Sequence, residues 1–109
     1  MELTEKEKQV LKKLSADLKR KFSVKEIILF GSAARGTMDE ESDIDIFVLL
    51  SDNVDWEIEK QIIDLCFEAE LNSDIKRIIS PICCSETDIK GRLEYSPFIL
   101  NVKREGLAL

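Results

Sequence analysis

The chain has 109 residues, of which 44% are hydrophobic and 35% are charged, and its formal net charge is −6. This length suits one folded domain, expected to span residues 1–109, and leaves no room for a separate substrate domain. The acidic balance argues against general binding to nucleic acid. No apolar run approaches the roughly 20 residues of a membrane span, and the charged N-terminal segment is unlike a signal peptide, so we expect a cytoplasmic protein.

The chain has no histidine, and its three cysteines, Cys66, Cys83 and Cys84, form no CxxC pair. A zinc site is therefore not expected, and the cysteines are interpreted as reduced packing residues. Because neighbouring residues of a strand point to opposite faces, Cys83 and Cys84 should lie on different sides of a sheet.

Charge is distributed unevenly along the chain. Residues 37–75 carry thirteen acidic residues against Lys60 alone, whereas basic residues outnumber acidic ones on both sides of this segment. Such an acidic middle segment predicts the binding of cations or of a basic partner.

The first predicted element is a helix. Thr4 and Glu7 have capping-box spacing, and apolar residues then recur at helical intervals from Val10 through about Phe22.

Three strands are predicted from β-branched and aromatic runs. The first covers residues 24–30 and stops at Gly31, the second covers 43–50, and the third covers 75–84. Pro81 cannot donate a ladder hydrogen bond, which places the third strand at an edge or makes it bend there.

Helices are predicted between and after these strands. An amphipathic helix is expected over residues 54–71, a short helix from Ser85, and a last helix from Pro97 to Glu105 that Gly106 ends. Trp56 could stack on a base, but we expect it to be partly buried in packing. The order α, β, turn, β, α, β, α predicts the α/β (α+β) class.

Gly31 and Ser32 follow the first strand directly. Glycine lets a ligand approach the main chain, and serine can cap the next turn or offer a hydroxyl to a phosphate oxygen. Arg35 is close enough to add a phosphate contact or a structural ion pair.

Asp43 and Asp45 lie two residues apart in a predicted strand, so both carboxylates should share one face. Two such carboxylates repel each other unless a cation lies between them, and hard oxygen ligands suit Mg²⁺ with substrate phosphates. Alone, the Gly-Ser pair could be a plain capped turn and the Asp-x-Asp a solvated strand face. Together they predict a site that positions a nucleoside triphosphate.

The segment 27–50, IILFGSAARGTMDEESDIDIFVLL, resembles the nucleotidyltransferases of the DNA polymerase β superfamily, and the short chain is similar to their minimal prokaryotic members. The resemblance implies a mixed β-sheet with helices mainly on one side and transfer of a nucleoside monophosphate, commonly AMP. It assigns the β- and γ-phosphates to Gly31 and Ser32, and Mg²⁺ to Asp43 and Asp45.

That family usually has a third carboxylate on a neighbouring strand. The corresponding segment, 75–84, contains no acidic residue, and Asp74 just before it is the catalytic candidate, against a plain turn role. Arg77 could meet the triphosphate or pair with acidic residues across the sheet.

A single small domain offers no obvious enclosed pocket for a second small substrate, so the expected acceptor is a hydroxyl of a macromolecule. Similar family members are often paired with a helical HEPN-class toxin, which they adenylylate as its antitoxin, and the resemblance makes such a toxin the candidate acceptor. The alternative is a nucleotide-binding or partner-binding module that transfers nothing. The sequence leaves both the choice of triphosphate and the oligomeric state, including a homo-oligomer, open.

Overall fold

A computed structural model describes residues 2–109, the side chain of Arg92 excepted. Helix α1 runs from Glu5 to Lys21, and Phe22 ends it. Thr4 Oγ1 accepts a hydrogen bond from the N–H of Glu7 at 3.1 Å, and the Thr4 N–H donates to Glu7 Oε1 at 2.8 Å. These two bonds form the predicted capping box and fix where the helix begins.

A mixed sheet of four strands carries the fold, in the order β3-β2-β1-β4. Strands β1 (Val24–Phe30) and β2 (Ile44–Leu50) are antiparallel, and a one-turn helix, α2 (Ser32–Arg35), follows β1. Strand β3 (Ile79–Ser85) runs parallel to β2. This confirms the predicted mixed sheet.

Helix α3 (Trp56–Ser73) makes the crossover from β2 to the parallel strand β3. The Asp55 carboxylate caps its start by accepting from the Ile58 N–H at 2.9 Å. Its inward side packs with α1 on the sheet face that carries Ile44, Ile46 and Val48, where the larger hydrophobic cluster lies.

The opposite sheet face is covered by shorter elements. Helix α4 (Glu86–Asp88), a π-helical turn (Ile89–Leu93) and helix α5 (Pro97–Glu105) follow β3. A smaller cluster of Phe47, Ile99 and Val102 forms beneath α5. The longer helices therefore lie on one side, as the resemblance implied.

Strand β3 begins four residues later than predicted. The segment before it bends because Asp74 takes the left-handed conformation (φ 52°) and the side chain of Arg77 turns inward. The strand lies at the sheet edge, which confirms the inference from Pro81. The N–H of Ile79 donates to Glu70 Oε1 at 2.6 Å, outside the ladder.

Two cysteines of β3 lie on opposite faces, as predicted: Cys83 contacts the larger cluster and Cys84 the smaller one. Burial raises the pKa of the Cys66 and Cys83 thiols to about 12. Both thiols are thus protonated packing groups at neutral pH.

Gly106 ends α5, and a two-residue strand, β4 (Leu107–Ala108), then pairs with β1. A Cβ atom at Gly106 would collide with Ile28 Cγ2 and the Val102 carbonyl, so the close approach of helix and strand requires glycine. No helix among the described residues is long and apolar enough to cross a membrane.

Candidate active site

Gly31 connects β1 to α2 with φ 71° and ψ −150°, a backbone conformation that favours glycine. A Cβ atom at this position would lie 2.6 Å from Oδ2 of Asp45. The Asp45 carboxylate therefore lies directly against the main chain of Gly31. The fold brings the glycine turn and the acidic strand into contact.

Strand pairing produces this contact, because Phe30, the residue before Gly31, is paired with Asp45 across the antiparallel ladder. The ring of Phe98 packs edge-on against Phe30 with a centroid distance of 5.3 Å, and against Phe47 at 6.1 Å. Both strands are thus held in place beside the carboxylate.

Asp43 precedes β2 and is exposed, whereas Asp45 is half-buried. Burial raises the pKa of Asp45, the negative charge of Asp43 raises it further, and the positive charge of Arg35 acts in the opposite direction. The two carboxylates are therefore close enough to repel each other, and the charges around them leave that repulsion incompletely compensated.

Ser32 begins α2, and its side chain is half-buried. The first N–H groups of a helix have no partner inside it, and this turn begins directly after Gly31, which lies against the Asp45 carboxylate. Arg35 ends the same turn, and its Nη1 lies 3.3 Å from Oε2 of Glu105 on α5. This partner is 70 residues away, and no local signal in the sequence indicated it.

The donor set at this position fits Mg²⁺. Two oxygen ligands that repel each other suit a hard cation, which usually completes its coordination with water and substrate phosphates. Among the described residues, no three Asp, Glu or Cys side chains converge closely enough to hold a metal ion. Strand β3 places Ser80 beside Asp45, so the neighbouring strand adds a hydroxyl instead of a third carboxylate.

Asp74 lies elsewhere. It ends α3 and lines a cavity of about 350 Å³ together with Thr4, Glu40 and Arg77. Neither Asp43 nor Asp45 lines this cavity. The structure does not bring Asp74 to the paired carboxylates.

Arg77 is a buried structural residue. Its Nη1 donates to Glu7 Oε1 at 2.7 Å, and its Nε and Nη2 donate to the Asp39 carbonyl at 3.1 and 2.9 Å. Of the two roles considered from the sequence, ion pairing is the one observed, but the partner lies on α1 and not across the sheet. Through these bonds Arg77 links the start of α1 to the loop that leads to Asp43.

Trp56 does not pack as predicted. Its side chain is 70% exposed at the start of α3, and the Lys60 ammonium lies 5.8 Å from the ring centroid. The expectation of partial burial is wrong because the side of α3 that carries Trp56 faces away from the sheet.

Comparisons with known proteins show what the chain is similar to. The family model described as a nucleotidyltransferase domain matches residues 11–101, a span that includes both motifs. Two relatives from Methanocaldococcus jannaschii, each named "Putative protein adenylyltransferase", are 39% and 38% identical to the chain. The first alignment covers 80% of this chain and 84% of the relative, and the second covers 94% and 97%.

A solved structure of the toxin-antitoxin MntA-HpeT, in a mutant form, has a similar fold. The TM-score is 0.57 at 25% sequence identity, over 94% of this chain and 70% of that chain.

Proposed function

Because the chain belongs to the nucleotidyltransferase domain family, we propose that it transfers AMP from magnesium-bound ATP to a hydroxyl group of a partner protein. Membership of the family makes it a nucleotidyltransferase. The nucleotide, the metal, the acceptor and the role of each residue are the proposed parts. We also propose that residues 1–109 act as one domain in the cytoplasm.

The observation that carries the proposal is the contact between Gly31 and the Asp45 carboxylate. It supports one site in which phosphates bound at the turn lie beside carboxylates that bind cations. In this assignment Gly31 and Ser32 hold the β- and γ-phosphates, Arg35 adds a phosphate contact, and Asp43 and Asp45 bind Mg²⁺.

Bound Mg²⁺ would neutralise charge on the phosphoryl oxygens and orient the reacting groups. The acceptor oxygen forms a bond to the α-phosphorus while the bond from that phosphorus to the pyrophosphate oxygen breaks. The hydroxyl proton passes to solvent, since the described part of the chain brings no third carboxylate to Asp43 and Asp45.

A protein acceptor is supported by the names of the relatives and by the toxin-antitoxin structure. We propose that the partner is a helical protein of the HEPN class and that the chain acts as its antitoxin by adenylylating it. Ser80 beside Asp45 favours a second candidate, a nucleotide-binding module with weak or no transfer.

Labelled ATP distinguishes these functions. The chain is purified with its native partner and incubated with Mg²⁺ and ATP labelled on either the α- or the γ-phosphate. Adenylylation places α-label but no γ-label on the partner. The label should vanish in Asp43→Ala and Asp45→Ala, and it should persist in Asp52→Ala, an exposed aspartate outside the motif.

An intact complex that binds Mg-ATP in calorimetry but acquires no α-label would overturn the transfer function and leave the binding module. γ-Label without α-label on the partner would indicate a different reaction, phosphoryl transfer, in which the α-phosphate leaves with ADP.

A further inference from the structure

The outward side of α3 carries an apolar stripe. Trp56, Ile63, Phe67 and Leu71 are between 45% and 70% exposed, and we call these four residues the α3 stripe. Their spacing of seven, four and four residues aligns them along one side of the helix. None of them belongs to either hydrophobic cluster, so packing among the described residues does not account for the stripe.

The opposite side of α3 packs against the larger hydrophobic cluster. Ile62 and Cys66 are buried in the core, and Ile58, Leu65 and Ala69 pack against it. At about 100° per residue, the centre of this inward side lies well over 90° from the α3 stripe. The stripe is therefore not the margin of the buried face but a second apolar face of the helix.

Acidic residues border the α3 stripe along both sides. Glu59 and Glu70 lie towards β3, and Glu57, Asp64 and Glu68 lie on the other side. All of them except Glu70 are exposed. Lys60 is the one basic residue of this helix.

This charge pattern indicates which kind of partner fits the α3 stripe. If a second copy of the chain docked through the same stripe, it would bring acidic borders against acidic borders, and like charges at an interface are unfavourable. A helix whose apolar side is bordered by lysine and arginine would match the stripe along its length and pair with the acidic residues. With 18 residues, α3 offers about 27 Å for such packing.

We propose that the α3 stripe is the docking surface for the partner protein, which presents a basic amphipathic helix to it. The inference rests on the proposed function in taking this partner to be the acceptor. Helix α3 packs on the sheet face opposite to Asp45, because Ile44 and Ile46 belong to its cluster and Asp45 alternates with them. Docking there leaves the phosphate site open to the acceptor hydroxyl.

The single tryptophan of the chain, Trp56, lies in the stripe and reports binding. The probe is a synthetic helical peptide of α3's length, with leucines along one side and lysines bordering them. One control peptide has glutamates in place of the lysines, and a second has the lysine peptide's composition in scrambled order.

We expect a saturable blue shift of Trp56 emission with the lysine peptide and about tenfold weaker binding of either control peptide. Added salt should weaken the lysine peptide's binding because exposed charges are screened. The double variant Ile63→Ser/Phe67→Ser should bind about tenfold more weakly. The matched variant Ile78→Ser/Leu100→Ser, which changes two exposed apolar residues outside α3, should bind like the wild type.

Equal affinity for the lysine and glutamate peptides would overturn the assignment of a basic partner. Self-association in sedimentation velocity that Ile63→Ser/Phe67→Ser abolishes would assign the stripe to a second copy instead.

Failure of docking and failure of transfer give different results. Asp45→Asn should lose transfer but keep peptide binding. Ile63→Ser/Phe67→Ser should keep Mg-ATP binding while α-label on the native partner falls about tenfold. Undiminished labelling of the partner by this variant would refute the docking surface and leave the proposed function standing.

Discussion

Arg77→Met should lower the free energy of unfolding by about 3–5 kcal/mol, because it removes the cation that faces the buried Glu7 carboxylate. The two side chains are 6% and 5% exposed, with Nη1 and Oε1 2.7 Å apart. Breaking a buried pair leaves one charge poorly solvated, and the resulting loss of stability is larger than the free energy that an exposed ion pair contributes.

The contacts show where this cost arises. Arg77 donates two hydrogen bonds to the Asp39 carbonyl, but Asp39 is exposed, so that carbonyl can accept from water instead. The Glu7 carboxylate is buried and cannot bind water in the same way, so without Arg77 it keeps only the hydrogen bond from the Thr4 N–H. A domain of this size is stable by about 5–15 kcal/mol, so the variant should remain folded but marginal.

Urea unfolding followed by far-ultraviolet circular dichroism measures the effect, since the exposed Trp56 is a poor reporter of folding. Arg20→Met is the matched control: it breaks an exposed pair with Asp17 whose distance, 2.8 Å, is almost the same, and should cost at most about 1 kcal/mol. Glu7→Gln keeps a capping side chain, so the double variant with Arg77→Met should cost less than the sum of the single changes.

If Arg77→Met and Arg20→Met lowered the free energy of unfolding by the same small amount, burial would not explain the contribution of the Glu7–Arg77 pair to stability, and the reasoning would be refuted. Strict additivity in the double variant would likewise show that Arg77 acts without Glu7.

Four further predictions concern the site and the core. Gly31→Ala should cost about 1–3 kcal/mol and weaken ATP binding in calorimetry, because φ is 71° and the added Cβ meets the Asp45 carboxylate; Gly91→Ala, which meets no atom within 4 Å, should do neither. Asp45→Asn should abolish Mg-ATP binding yet raise the Tm at neutral pH without Mg²⁺. In the wild type the pKa of Asp45 is higher in the folded than in the unfolded state. The contribution of this carboxyl to stability is therefore fully present below the unfolded-state pKa and is lost as pH rises through the folded-state pKa. A lower Tm at neutral pH, or a gain that persists in acid, would contradict this. Ser80→Asp should speed labelling of the partner, and an unchanged rate with ATP still bound would mean that a third carboxylate is not limiting. The pKa of Cys66 is raised to about 12, so its contribution to stability should be lost as pH rises from about 9 to 12, and Cys66→Ala should show a shallower decline in urea unfolding over that range.

Local signals in the sequence predicted the features that depend on a few consecutive residues. The capping box at Thr4, the turn at Gly31 and the end of α5 at Gly106 all follow from short-range chemistry. Asp43 and Asp45 were identifiable as a pair from their spacing of two residues in a predicted strand; in the structure Asp43 lies just before β2, and its charge acts on Asp45.

Features that depend on distant contacts were not predictable in this way. The pairing of Arg77 with Glu7 joins residues 70 positions apart, and the inward turn of Arg77 delays the start of β3. Strand β4 has two residues, too few for any periodicity. The position of Asp74 away from the site follows from the left-handed end of α3, which only the folded chain reveals.

The edges of the sheet bear on how this molecule avoids aggregation. Exposed strand edges recruit strands from other molecules when their N–H and C=O groups are unpaired. At β3 the N–H of Ile79 is taken by Glu70, and Pro81, two residues on and therefore on the same side of the strand, has none to offer. The other edge, β4, is only two residues long. Both edge strands therefore offer few backbone groups for pairing with a strand of another molecule, which opposes aggregation of a chain that also has an exposed apolar helix face.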